Sequence, residues 1–175
     1  MRSIAVYCGS SDKVAEEYLQ VAQNLGQLLA ERGIQVVYGA GSTGMMGAVA
    51  TAAMDAGGEV IGVMPKIFDT PHLALPTTTR YEVVPDIHAR LVRMINLAEG
   101  FIALPGGFGT MDEFFQTVTW AQIGLHTKPV GLLNYGGYYD LLIQFMGHIE
   151  EEGFMYAGHN GLYLTAQTPE ALLEA

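Results

Sequence analysis

Leu104-Pro105-Gly106-Gly107-Phe108-Gly109-Thr110-Met111-Asp112-Glu113 is the stretch from which the rest of the chain is read. The apolar run Phe101-Ile102-Ala103-Leu104 leads into it as a strand and stops at Pro105. Three glycines follow; without a Cβ they let the backbone turn sharply and approach a ligand closely. A helix is expected to open at Thr110, and the first amides of a helix have no partner within it. Strand, glycine turn and free helix N-terminus together form an anion site, most often used for phosphate. Glu113 falls one turn into that helix, beside whatever the glycines hold. A phosphate cradle with a carboxylate next to it points to chemistry on a phosphorylated small molecule.

Outward from that run, strands and helices alternate over the whole chain. Ser3 to Tyr7 reads as a strand. Val14 to Arg32 reads as a helix, with apolar Val14, Tyr18, Val21, Leu25 and Leu28 at helical spacing and Gly33 where a C-cap glycine belongs. Ser10, Ser11 and Asp12 are N-cap candidates ahead of it. Ile34 to Tyr38 is a second strand, followed by the glycine-rich turn Gly39 to Gly44, a small-residue helix to about Ala56, and a strand from Glu59 to Met64. Pro65 to Thr79 carries three prolines and no period, so it reads as a loop. Then come a short strand Tyr81 to Val84, a helix Ile87 to Ala98, the strand before Pro105, a long helix to about Leu125 and the strand Val130 to Leu133. A helix to about Glu152 follows Gly136-Gly137, with a short strand expected at Leu162 to Leu164. Thr168-Pro169 has the form of a cap and first turn for a last helix. This order predicts a Rossmann-like α/β fold: a doubly wound, mainly parallel sheet with helices on both faces, one domain over residues 1–175. Ligands on such sheets bind beyond the carboxyl ends of the strands, where the strand order reverses. The Ser10 region, the Gly39 turn and the Pro105 turn all lie at such ends.

Bulk properties narrow the function classes. The formal net charge is −10, with eight Lys and Arg against eighteen Asp and Glu. That leaves no basic footprint for nucleic acid, while backbone amides and one or two arginines can still bind a small phosphate locally. No stretch approaches the roughly 18 apolar residues that span a bilayer, and Met1-Arg2-Ser3-Ile4 leads straight into a strand, without a signal-peptide layout. A soluble, cytoplasmic protein without membrane partners is expected. Half the residues are apolar, which fits a well-buried α/β domain and some apolar surface covered by a second copy. The lone Cys8 has no disulfide partner and reads as a buried structural thiol.

Gly39-Ala40-Gly41-Ser42-Thr43-Gly44 matches GxGxxG between a strand and a helix. A dinucleotide site expects an acid at the end of the next strand. That strand ends Gly62-Val63-Met64-Pro65-Lys66, and Glu59 starts it at the wrong edge. Half of a mononucleotide pocket, with Ser10, Gly41, Ser42, Thr43 and Gly44 contributing, fits better; a plain tight connection is the bland alternative. Neither glycine turn carries the Lys-Ser or Lys-Thr of a nucleoside-triphosphate loop. Arg90 and Arg93 share a helix face, and a guanidinium suits bidentate binding of phosphate or carboxylate, so at least one of them is expected in the site. The histidines, His88, His126, His148 and His159 among them, show no metal-ligand spacing. Phe114 to Ile123, with Trp120, reads as core or as a subunit contact.

Pro105 to Glu113 matches the PGGxGTxxE signature, and the chain thereby resembles the LONELY GUY family, cytokinin-activating phosphoribohydrolases that also carry the label possible lysine decarboxylases. The likeness extends through Cys8-Gly9-Ser10-Ser11, Gly44-Met45-Met46-Gly47, Thr119-Trp120-Ala121-Gln122 and Lys128 to Asn134. It implies hydrolysis of the N-glycosidic bond of a nucleoside 5′-monophosphate, typically one with an N6-substituted adenine, to free base and ribose 5-phosphate. Arg90 and Glu113 match the family's catalytic pair, and Gly106, Gly107, Gly109 and Thr110 its phosphate cradle. No metal or organic cofactor is implied, and a homodimer or an assembly of dimers is. The family's Met-His-Glu-Arg-Lys reads Ile87-His88-Ala89-Arg90-Leu91 here, a departure that bears on substrate preference. A decarboxylase would need a Schiff-base lysine, and Lys13, Lys66 and Lys128 have no setting for one. Two other classes stay open: a non-catalytic nucleotide or cofactor carrier on the same fold, and a NAD-dependent oxidoreductase.

Overall fold

β1 (Ser3–Tyr7) runs through the middle of the molecule with every residue buried, which is why its side chains are apolar nearly throughout instead of alternating. In the computed structural model, which describes residues 1–155 and 161–175, β2 (Gln35–Tyr38) pairs with β1 on one side and β5 (Gly100–Ala103) on the other. β3 (Val60–Pro65) and β4 (Arg80–Val84) extend the sheet past β2. β6 (Val130–Leu133) and β7 (Leu164–Ala166) extend it past β5. Every pairing is parallel, in the order β4-β3-β2-β1-β5-β6-β7. The order reverses between β1 and β5, so the loops after these two strands diverge and leave a crevice at the sheet's carboxyl edge.

Helices cover both faces. α1 (Glu16–Glu31), α2 (Gly44–Asp55) and α6 (Pro169–Glu174) close one core around Ile4, Val6, Leu25, Leu29 and Val49. α3 (Ile87–Leu97), α4 (Phe108–Gln122) and α5 (Asp140–Glu151) close the other around Tyr7, Met94, Phe101, Phe114 and Leu132. Full burial of each such side chain stabilises by about 1.5–3 kcal/mol. Where α1 crosses α2, a Cβ on Gly26 would stand 2.2 Å from the carbonyl oxygen of Val49, so this close helix approach requires glycine. Together the two cores and the continuous sheet make one α/β domain.

The expected architecture holds, with local differences. α1 starts at Glu16, and the residue before it, Ala15, supplies no side-chain cap. Ser10, Ser11 and Asp12 therefore do not cap α1; Asp12 turns to the start of α2, where its Oδ1 accepts the amide of Gly44 at 2.8 Å. α4 opens at Phe108 rather than Thr110 and ends at Gln122 rather than Leu125. Gly124 behind it takes φ +78°, and the Leu125 amide bonds back to the Trp120 carbonyl at 2.8 Å, a glycine-ended helix stop. β7 sits two residues later than expected, because Leu164 to Ala166 is the stretch in register with Gly131 to Leu133. The 65–79 loop contains a short 3₁₀ turn over Lys66–Phe68 and a bridge from Ala74 to Gly41. Among the described residues no helix is long and apolar enough to cross a membrane. His159 lies outside the described residues.

Candidate active site

A cavity of about 440 Å³ opens at the β1–β5 crevice. On one side lies the loop after β1, with Cys8, Gly9 and Ser10; on the other lies the glycine turn after β5 and the start of α4. Arg90 and Glu113 line its floor.

Arg90 sits in the first turn of α3, which Asp86 caps by accepting the Ala89 amide at 2.8 Å. Its guanidinium passes over Gly39, where a Cβ would stand 3.3 Å from Nη1. Glu113 projects from the second turn of α4, and Arg90 Nη2 donates to Glu113 Oε1 at 2.8 Å. Both side chains are largely buried, 16% and 10% exposed. Arg90 Nε is buried without a partner among the described residues. Burial pushes the Glu113 carboxyl up to about 7, with the charge and hydrogen bond of Arg90 pulling against it and the Asp112 charge adding to it. A carboxyl poised near neutrality is suited to exchanging a proton with a substrate or water. Behind it, the Thr117 hydroxyl donates to the Glu113 carbonyl at 2.7 Å and takes a hydrogen bond from the Tyr7 hydroxyl at 3.0 Å. That network ties the Glu113 turn of α4 to β1.

The glycines work through room rather than through twist. Gly106, Gly107 and Gly109 line the cavity, and none has a positive φ, so the sharp turn does not need their conformational freedom. A Cβ on Gly106 would stand 2.1 Å from Thr110 Oγ1, whereas one on Gly107 or Gly109 would meet nothing within 4 Å. Gly107 is the N-cap of α4, and the first amide bonded back along the helix is that of Met111, to the Gly107 carbonyl. Among the described residues the amides of Gly107, Phe108, Gly109 and Thr110 thus have no partner at the cavity wall, a favourable place for an anion.

The second glycine turn is arranged differently. Gly41, Ser42, Thr43 and Gly44 are not among the lining residues, and their polar groups are engaged by protein. The Ser42 amide donates to the Leu73 carbonyl at 2.9 Å, the Thr43 hydroxyl to the Ser10 carbonyl at 2.7 Å, and the Gly44 amide to Asp12. Gly44 itself has φ +58°, and a Cβ there would strike the Ser10 carbonyl group. The N-terminus of α2, where a dinucleotide's pyrophosphate would sit, thus already holds the Asp12 carboxylate. This turn fixes the Ser10 loop that forms the cavity wall.

Of the two arginines, only Arg90 reaches the cavity. Arg93 makes a two-pronged pair with Glu82 at 2.7 and 3.0 Å, and Arg80 also pairs with Glu82. Leu91, where the family pattern has lysine, is 3% exposed and packs into the α3-side core. None of the three lysines lines the cavity. Cys8 is buried, and burial pushes its thiol up, with the Glu113 charge adding to the rise, so it is a packed thiol and not a nucleophile. Phe114 and Thr117 are buried, while Phe108 and Ile123 are exposed; α4 is core on one side and open on the other. Among the described residues no three His, Cys, Asp or Glu cluster to hold a metal ion.

Sequence reasoning missed an aromatic and aliphatic wall. Val14, Tyr18, Met45, Met46 and Tyr138 also line the cavity. The Tyr138 hydroxyl donates to the Gly106 carbonyl at 2.9 Å, and its ring meets that of Tyr18 edge-on at 5.8 Å. The only local signal is the pair Gly136-Gly137, both at positive φ, which swings Tyr138 back over the glycine turn.

Residues 46–175 match the family described as possible lysine decarboxylase. The chain is 43% identical over 169 residues to a probable cytokinin riboside 5′-monophosphate phosphoribohydrolase of Oryza sativa subsp. japonica, covering 97% of this chain and 80% of that one. It is 42% identical over 173 residues to a cytokinin riboside 5′-monophosphate phosphoribohydrolase of Arabidopsis thaliana, covering 99% and 80%. Among solved structures, the molybdenum cofactor binding protein of Rippkaea orientalis superposes with a TM-score of 0.74 at 26% identity, covering 99% of this chain and 93% of that one.

Proposed function

The chain belongs to the LONELY GUY family, the group whose matching profile bears the description possible lysine decarboxylase, and on that premise we propose that it hydrolyses the N-glycosidic bond of N6-modified adenosine 5′-monophosphates. The products are the free base and ribose 5-phosphate. The observation that carries this reading is the buried Arg90–Glu113 pair facing the free amides of the α4 N-terminus across one cavity.

The 5′-phosphate is taken by the amides of Gly107, Phe108, Gly109 and Thr110, with Gly106 giving the turn its room. Ser10 borders the ligand from the β1 loop, and Gly41, Ser42, Thr43 and Gly44 act by holding that loop in place. Phosphate binding places the ribose over the floor pair and supplies remote binding energy to the transition state. As the C1′–N bond lengthens, its electron pair leaves with the base and positive charge grows on the ribose ring. The Glu113 carboxylate stabilises that charge and takes a proton from the water that adds to C1′; the leaving base nitrogen ends protonated. Arg90 keeps Glu113 ionised and oriented, and its remaining donors are available to the substrate. The apolar wall of Val14, Met45 and Met46 suits a base with an apolar substituent. Decarboxylation has no support, since no lysine reaches the cavity for a Schiff base.

We place the reaction in the cytoplasm, a setting that suits a lone, reduced thiol, and in a homodimer or an assembly of dimers. The apolar residues exposed at the two ends of α4, Phe108 at 97% and, just past its last residue, Ile123 at 61%, favour such a contact. The test is base release from AMP and from isopentenyladenosine monophosphate, for wild type beside Arg90→Ala and Glu113→Gln. Release of base and ribose 5-phosphate by wild type alone supports the hydrolase. Tight binding of both nucleotides without turnover overturns it in favour of a carrier.

A further inference from the structure

The two helices that supply Arg90 and Glu113 are tied together by one short segment, His126-Thr127-Lys128, which reaches the C-terminal turn of α3 and the middle of α4. The last turn of α3 leaves the Ile95 carbonyl without its helical partner, because the Glu99 amide that would serve it bonds to the Ser3 carbonyl. Lys128 Nζ donates to that Ile95 carbonyl at 2.6 Å. Two residues earlier, His126 Nδ1 accepts the Lys128 amide at 3.2 Å. The neutral ring then carries its proton on Nε2, which donates to the Thr117 carbonyl of α4 at 3.0 Å. Thr117 is the residue whose hydroxyl holds the Glu113 carbonyl. Both side chains rest on Phe101 of β5: the His126 ring lies 5.3 Å from it and Lys128 Nζ 5.9 Å over its face.

We propose that His126 and Lys128 are positioning residues that set the spacing of α3 against α4, and through it the Arg90–Glu113 contact. The inference rests on the hydrolase reading for its kinetic consequence only. α3 and α4 lie on the same face of the sheet, and the floor pair joins them only near their N-termini, so a second tie further along fixes their spacing. A cation on a C-terminal helix carbonyl is a favourable anchor. The nearest further charge is Glu99, which favours the ammonium and is itself paired with Arg2.

The experiment follows the Glu113 carboxyl directly. Around it stand Arg90 from α3, Asp112 from its own helix, Tyr7 from β1 and Cys8 from the loop after it. Of these only Arg90 holds its titration down. Lys128→Met keeps the apolar stem on Phe101 but removes the donor to Ile95. In this variant the Glu113 carbon resonance, assigned by its loss in Glu113→Gln, is expected to titrate at higher pH than in wild type. The acid limb of kcat follows it. A limb displaced upward by about one pH unit means roughly a five-fold lower rate at pH 7, regained by about pH 9, with KM unchanged. Lys128→Arg, which restores a cationic donor, returns both toward wild type. Should Lys128→Met not fold, His126→Leu removes the other prong and is read the same way. Variants that lose thermal stability while the Glu113 titration and the limb stay at wild-type positions overturn the proposal. The titration needs no turnover, so a wild type inert on every nucleotide would defeat the hydrolase reading and leave the strap still tested.

Discussion

Arg90 and Glu113 are 23 residues apart and belong to different helices, yet Arg90 Nη2 lies 2.8 Å from Glu113 Oε1. Neither helix has a reason of its own to bury a charge at that point. The pair exists because the β1–β5 reversal brings the two helix starts to one crevice, and each charge makes the other tolerable there. Removing one partner of such a buried pair leaves an uncompensated charge.

Glu113→Gln should keep the fold and the nucleotide cradle but lose the proton acceptor. Base release is expected to fall by about 10²–10⁴-fold, with ribose 5-phosphate still bound near wild-type affinity. Steady-state kinetics beside calorimetric binding would check this, and a variant with near-wild-type turnover would remove Glu113 from the chemistry.

The rate should depend on pH through the same group. The carboxylate is the working form and its carboxyl is pushed up to about 7 by burial. Activity should therefore climb as pH passes through about 7 and fall away toward acid. A pH–rate profile already flat from about pH 5 upward would mean that the ionisation of Glu113 is not used.

Stability carries the opposite sign. Native Glu113 holds its proton more tightly than its ordinary value of 4.5, so its contribution is full below that pH and is lost as pH rises toward about 7. The loss amounts to about 3 kcal/mol by linkage. Glutamine does not titrate, so the Tm of Glu113→Gln should gain on wild type between about pH 5 and pH 8. Parallel melting curves across that range would contradict the burial argument.

The cradle glycines should separate by mechanism. Gly106→Ala forces its Cβ against Thr110 Oγ1, 2.1 Å away, and is expected to destabilise by about 1–3 kcal/mol. A Cβ at Gly107 meets nothing within 4 Å among the described residues, so Gly107→Ala should melt near wild type and raise KM for the phosphorylated substrate. Denaturant melts and KM values on the two variants distinguish them.

Arg93→Ala is the control for Arg90→Ala. Arg93 is held by Glu82 away from the cavity, so its loss should leave kcat within about two-fold, whereas Arg90→Ala should remove most activity by freeing the Glu113 charge. Equal losses in the two variants would mean that the α3 face, and not the floor pair, is what matters.

The sequence by itself determined the alternation of strands and helices, the apolar β1 and β5, the glycine turn ahead of α4, and the candidates Arg90 and Glu113. These signals are local: periodicity, a proline stop, missing Cβ atoms and a helix start are written within a few residues of one another. The tertiary structure alone decided which of them meet. It assigned Arg93 to the half-buried Glu82 away from the cavity, filled the α2 N-terminus with the Asp12 carboxylate, and showed that the Pro105 turn needs glycine for space and not for positive φ. It also brought Tyr138 back over Gly106 and laid His126 and Lys128 between the middle of α4 and the end of α3. Each of these depends on side chains far apart in the chain competing for one buried donor, acceptor or volume. That competition is settled only once the β1–β5 reversal has set the distances.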